Sequence, residues 1–235
     1  APRPWIPRGV ATYTSFHWNI QKAFDSAESI VDEFIGEGGF QAAVDGIKKA
    51  EYGPRVDLRE ELVVHLGRHV LVMTDYDVPI TTTSEHFLFA IEANDPQAVD
   101  QTIRKLMESD SNARERGFEG HVIWELVEDA NVPEAPTIDT LIDDDPLLRG
   151  SEEEEEEHKG PTFPNSCICV ANGYLLFASN FDFLKKVLVK VEERETLAHT
   201  ADFNQVQAMM EQISQAEVCL RSFSRHLSHR RSFPR

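Results

Sequence analysis

Three groups of residues in this chain have the types that chemistry uses. His65 and His69 stand four apart, the spacing that puts two imidazoles on one helical face for zinc. Gly67 lies between them and a strand-like run opens at Arg68, so the helix is expected to end before His69. No glutamate completes a His-Glu-x-x-His motif, and the pair reads as ordinary boundary histidines. Asp75 and Asp77 follow one strand-like run and Glu92 closes another. Paired carboxylates can do acid–base work when their surroundings split their pKa values, but turns favour Asp for conformational reasons alone. Nothing in the spacing makes these three converge. The runs Asp143–Asp145 and Glu152–Glu157 offer the oxygen ligands that calcium takes. They lack the alternation and central glycine of an EF-hand loop, and read as solvated charge.

Other reactive types are scattered. Ser224, His226 and His229 supply nucleophile and base types on a chain end too loose to hold them. Cys167 and Cys169 alternate in a strand-like run and so face the same way. They read as small buried hydrophobes, with Cys219 able to pair with either if the strands neighbour. Trp5, Trp18 and Trp124 read as core or interface anchors. The chain has no Gly-x-Ser-x-Gly elbow, phosphate loop, dinucleotide fingerprint or Cys-x-x-Cys pair. No catalytic residue is assigned from sequence, and no metal or cofactor is expected.

Composition bounds the answer from outside. The 235 residues are 41% hydrophobic, enough for a real core. No run approaches the roughly 18 apolar residues that cross a bilayer. The chain opens Ala1-Pro2-Arg3-Pro4-Trp5 and reads as a processed product or an excised piece, so its start does not fix a compartment. Net charge is −18, from 23 basic and 41 acidic residues, and the two acidic runs carry nine of those negatives. Such a surface repels a phosphate backbone, so nucleic acid is not an expected partner. The basic tail, with Arg225, Arg230, Arg231 and Arg235, reads as a frayed terminus.

The elements that must position these residues follow from periodicity. Val10 to Phe16 reads as a strand. Ile20, Phe24, Ala27, Ile30, Val31, Phe34 and Ile35 make one helical face after Asn19, stopped by Gly36, Gly38 and Gly39. Phe40, Val44 and Ile47 mark a shorter helix, and Tyr52-Gly53-Pro54 a turn. Asp57 with Glu60 is a capping-box pattern opening a helix with Leu58, Leu62 and Leu66 inward, ended by Gly67. Strands are expected at Arg68 to Thr74, Phe87 to Ala93, His121 to Val127 and Glu217 to Phe223, with a hairpin over Cys167 to Ala178 across Asn172-Gly173. Helices are expected after Asp95-Pro96, over Asp182 to Val191 and over Ala201 to Ile213. Residues 131–163 read as an acidic surface excursion.

One phrase occurs twice. Phe87-Leu88-Phe89-Ala90 runs through Asn94-Asp95-Pro96 into a helix, and Tyr174-Leu175-Leu176-Phe177-Ala178 runs through Ser179-Asn180 into another. A repeated strand-turn-helix unit predicts an α+β fold: a mostly antiparallel sheet with amphipathic helices packed on one face. Two subdomains are expected, 1–80 and 81–223, followed by the tail 224–235.

The order Phe89-Ala90-Ile91-Glu92, Asp95-Pro96, Val122-Ile123-Trp124, Val170 to Ser179, Leu197-Ala198 and Asp202-Phe203 resembles a bacterial extracytoplasmic family, domain of unknown function 3352, in particular large planctomycete-type secreted or membrane proteins. The resemblance spans about Trp5 to Phe223 and rests on small motifs. It implies a periplasmic, cell-envelope or secreted setting, with peripheral membrane association through an N-terminal anchor that this chain lacks. It carries no catalytic residues. The expected function is a non-enzymatic binding or structural module for an envelope or protein partner. The alternative is a carboxylate- or metal-dependent hydrolase, and a third reading is an accessory subunit of an envelope assembly.

Overall fold

The computed structural model describes residues 2–49, 53–79, 81, 84–127, 166–190, 192, 195–213 and 220–224. The expectations for Tyr52, the acidic excursion, Cys219, His226, His229 and the basic tail lie outside them. In chain order the elements are β1 (Thr12–His17), α1 (Ile20–Ile35), α2 (Gly39–Lys49), a π-turn (Leu58–Leu62) running into a 3-10 turn (Val63–His65), and β2 (Leu66–Tyr76). Then come β3 (Glu85–Ala93), α3 (Pro96–Glu108), β4 (Ala113–Phe118), β5 (His121–Leu126), β6 (Cys167–Ala171), β7 (Tyr174–Ala178), α4 (Phe181–Leu188), a 3-10 turn (Leu197–His199), α5 (Ala201–Ile213) and β8 (Leu220–Ser224). The strands form one sheet in the order β4-β5-β6-β7-β3-β2-β1-β8, and each neighbouring pair is antiparallel. The α+β class with an antiparallel sheet is as expected. β2 and β3 flank the expected 80/81 boundary, yet they pair from Val70 to Tyr76, so both halves share one sheet.

Alternation along the strands sorts side chains onto two faces. One face carries Tyr13, Leu71, Met73, Leu88, Ala90, Leu176, Ala178, Cys167, Cys169 and Ile123, covered by Ile6, Val10, α4, Leu197 and Phe203. The other carries Ala93, Leu175 and Trp124, with Ile91, Val122, Ile168 and Val170, covered by Val99 and Ile103 of α3. Helices therefore cover both faces, not the single face expected. The reason is the phase at which each repeated strand ends. β3 ends on Ala93, which faces α3, and β7 ends on Ala178, which faces α4. A two-residue turn follows each strand, so each helix lands on the side its last strand residue faces.

Both repeat units are capped as read. Asp95 accepts from the Ala98 N–H with Pro96 behind it, and Asn180 accepts from the N–H groups of Asp182 and Phe183. Eight residues are too few for α4 to hold alone. Burial of Phe183, Leu184, Val187 and Leu188 supplies about 1.5–3 kcal/mol each. Asn19 caps α1 through Lys22, and Gly36 and Gly38 take the positive φ that ends it. The Asp57 box closes differently. Asp57 accepts from Arg59 and Glu60, but its own N–H donates to Glu61, one residue later than expected. The wider π-turn carries the reciprocal carboxylate one position on.

Two features escaped the periodicity. β4 reads Ala-Arg-Glu-Arg-Gly-Phe, too charged to look like a strand, but it is an edge strand, where charge blocks unwanted pairing. Arg116 there reaches diagonally to the buried Glu125 at 2.9 Å and lies over the Phe181 ring. Second, β2 starts at Leu66, so Gly67 sits inside a strand and does not end a helix. Leu66 opposes Ala93 while Val70 opposes Ile91, a bulge that spans Gly67 to His69. The Glu92 side chain lies across Gly67: a β-carbon there would stand 2.8 Å from Glu92 Oε2 and 3.0 Å from its Cβ. Gly67→Ala is expected to cost roughly 1–3 kcal/mol by overpacking. In a Glu92→Ala background, which removes the carboxylate and Cγ but keeps the Cβ, the same change should cost less, a difference that urea denaturation of the four proteins measures.

Candidate functional site

The bulge at Gly67–His69 sets the position of the His69 ring. On the face that carries Leu71 and Met73, its Nε2 stands 2.9 Å from Ser15 Oγ of β1, and its Nδ1 stands 2.8 Å from the Tyr174 hydroxyl of β7. Arg3, from the segment before β1, donates through Nε to that same hydroxyl at 2.7 Å. Its other arm pairs with Glu92 Oε1 of β3 at 3.3 Å. Trp5 packs edge-on against Tyr174, and His17 lies beside His69 with ring centroids 5.4 Å apart. Burial pulls the His69 pKa below the ordinary histidine range, and Arg3 adds to this, while Glu92 opposes it. Burial also pushes the Tyr174 phenol up.

Serine, imidazole and a third group in line have the geometry of an activated nucleophile. The direction of the hydrogen bonds decides whether it is one. The Arg3 guanidinium can only donate, so the Tyr174 oxygen accepts from it. Tyr174 is 3% exposed, and its own proton finds an acceptor at His69 Nδ1. The neutral ring then carries its proton on Nε2 and donates to Ser15. The opposite tautomer would leave a buried phenol proton unmatched, at a cost of about 1–3 kcal/mol. The chain thus runs Arg3 to Tyr174 to His69 to Ser15, and Ser15 is at its accepting end. In that direction His69 cannot take the serine proton.

A second polar cluster lies at the other end of the same face. Lys186 of α4 stands 3.3 Å from Asp75 Oδ2 and 3.7 Å from Asp77 Oδ1. His86 Nε2 is 3.1 Å from Asp77 Oδ2, and the His86 ring stacks on Phe183. The hydrogen bond from His86 holds the Asp77 carboxyl below the ordinary range, with Lys186 adding to it. Asp75 and Asp77 therefore do come together, around a lysine. Glu92 belongs to the first cluster, roughly 20 Å away at about 3.3 Å per strand residue. One substrate atom cannot meet both.

The remaining sequence candidates separate. His65 sits in the 3-10 turn, where its carbonyl accepts from Asn94, and it does not join His69. Among the described residues no group of three His, Cys, Asp or Glu is placed to hold a metal ion. Cys167 and Cys169 are free, buried and on one face as read, and burial pushes the Cys167 thiol up to about 12. Ser224 is the exposed last residue of β8. Trp124 is in the core and Trp5 packs on Tyr174, whereas Trp18 is 48% exposed. Ser15, Tyr174 and Arg3 were not singled out from sequence. They come from three separate segments, and no spacing links them.

Two outcomes are expected. Nitrogen-15 spectra at pH 8 should show His69 protonated on Nε2, with Nδ1 bare; a proton on Nδ1 would reverse the chain and activate Ser15. In a Cys219→Ser background, Cys167 and Cys169 should resist a thiol reagent at pH 8 until the protein is unfolded.

Compared with known proteins, the chain matches no family model, and neither a curated protein nor a solved structure matches it significantly.

Proposed function

We propose that this protein is a non-enzymatic binding or structural module that works outside the cytoplasm, in the periplasm, the envelope or secreted, and serves a protein partner. The observation that carries this reading is the directed chain from Arg3 to Ser15. Because Arg3 can only donate to Tyr174, the groups best arranged for catalysis are joined so that Ser15 stands as the acceptor of the His69 bond. Asp75 and Asp77, the carboxylates of a hydrolase alternative, are likewise drawn onto Lys186.

Apolar surface supports the same reading. No described side chain of α1 or α2 is fully buried. Phe24 and Phe40 pack on each other across this helical hairpin, and Ile30 is 56% exposed. Trp18 precedes the α1 cap and is also exposed. An exposed tryptophan beside a half-buried helix pair is the kind of surface a protein partner uses. The net charge of −18 disfavours nucleic acid in that role. The extracytoplasmic setting rests on the family resemblance alone. No described helix is long and apolar enough to cross a membrane.

A panel of ester, peptide, glycoside and phosphoester substrates tests the proposal. No turnover that depends on Ser15, Asp75 or Asp77 is expected. Hydrolysis abolished by Ser15→Ala, Asp75→Asn or Asp77→Asn, in variants that keep the wild-type melting temperature, would establish the hydrolase instead.

A further inference from the structure

The segment before β1 crosses the sheet like a strap. Ile6 and Val10 are buried in the core beneath it. The Ile6 carbonyl accepts from Leu197 at 3.0 Å, the Arg8 N–H donates to Glu195 at 2.8 Å, and Pro7 bridges to Thr196. The strap therefore holds both the sheet and the turn that leads into α5. Toward its outer end Pro2 is buried. Arg3 and Trp5 meet Tyr174 there, and Arg3 also reaches Glu92. Tyr174 can serve Arg3 as it does because its own proton has His69 as an acceptor.

We propose that His69 is a proton-operated latch for this strap: a second proton on its ring releases Arg3 and Trp5 from Tyr174 and frees the segment before β1. The added proton comes from solvent and occupies Nδ1, the atom that accepts from Tyr174. The phenol oxygen then faces two cationic donors, the guanidinium and the imidazolium, and the phenol proton loses its acceptor. The charged and titratable groups around the ring are Arg3 from the strap, Glu92 from β3, His17 from β1 and Tyr174 from β7, with the Ser15 hydroxyl beside them. Arg3 and His17 disfavour the imidazolium, and Glu92 alone favours it. Glu92 is already paired with Arg3, so neutralising His69 with it weakens the same anchor.

The sign follows from the lowered folded pKa. Below the ordinary histidine value of about 6.5, unfolded or strap-open chains bind a proton that the closed form resists. The closed form is therefore fully favoured above that value and loses ground as the pH falls below it.

Hydrogen exchange at the Ile6, Arg8 and Leu197 amides, corrected for the intrinsic rate, tests the latch between pH 7.5 and 5.0. Protection should fall by about tenfold for each unit by which the ring's pKa is depressed. His69→Gln, which keeps a polar group without titrating, should show a flat profile. Unchanged protection in the wild type, or an equal fall in His69→Gln, overturns the proposal. Should that variant fail to fold, a proton titration of the wild-type His69 ring decides. Its midpoint must coincide with the loss of protection at Ile6 and Arg8, and a ring that titrates while those amides stay protected also overturns the latch.

Discussion

A single row of side chains crosses the sheet at right angles to its strands. Ser15 opposes Leu71, Leu71 opposes Ala90, Ala90 opposes Leu176, Leu176 opposes Cys169, and Cys169 opposes Ile123. Leu71, Ala90, Leu176 and Ile123 are wholly removed from water. A one-residue slip at any pairing would turn that strand's apolar side chains to the wrong face, so the row fixes the register of six strands together. The next row runs from Tyr13 through Met73, Leu88, Ala178 and Cys167 to Glu125. There the apolar sequence ends on a buried carboxylate, which Arg116 from the edge strand neutralises.

The register also brings the His69 cluster into being. Tyr174 directly opposes Glu92, and His17 directly opposes His69, so four of its members come from two cross-strand pairs. β3 lies between β2 and β7 and would keep His69 and Tyr174 apart in a regular ladder. The bulge at Gly67 re-aims β2, and the glycine leaves room for Glu92 to lie flat against it. Packing at one position without a side chain thereby sets the geometry of a hydrogen-bonded chain that joins β1, β2, β7 and the strap. The result is a network in which the Arg3 donor, the Tyr174 phenol and the His69 ring are joined in one direction.

Much of the fold was legible because it depends on local rules. The Asn172-Gly173 hairpin, the Asp95 and Asn180 caps and the limits of α5 follow from φ preference, capping chemistry and the 3.6-residue period, all of which act within a few residues. β4 was not legible, because an edge strand is read by what its charges prevent and not by an apolar alternation. The side on which each helix packs was missed for a related reason. The repeat shows that a helix follows a strand, but the face it meets depends on whether the strand ends on an odd or an even step of the pleat, counted across neighbouring strands.

The polar clusters divide in the same way. The sequence alone determined that Cys167 and Cys169 share a face, since residues two apart in a strand point alike. It also determined the acidic surface and the repeated strand-turn-helix order. Only the tertiary structure decided that Lys186 stands between the two aspartates, that Glu92 parts from them, and that Arg3, Ser15, His69 and Tyr174 meet. Those residues are separated by as many as 171 positions. Their meeting is a property of strand order and of one bulge, and a side chain's partners across a sheet are written in no window of its own sequence.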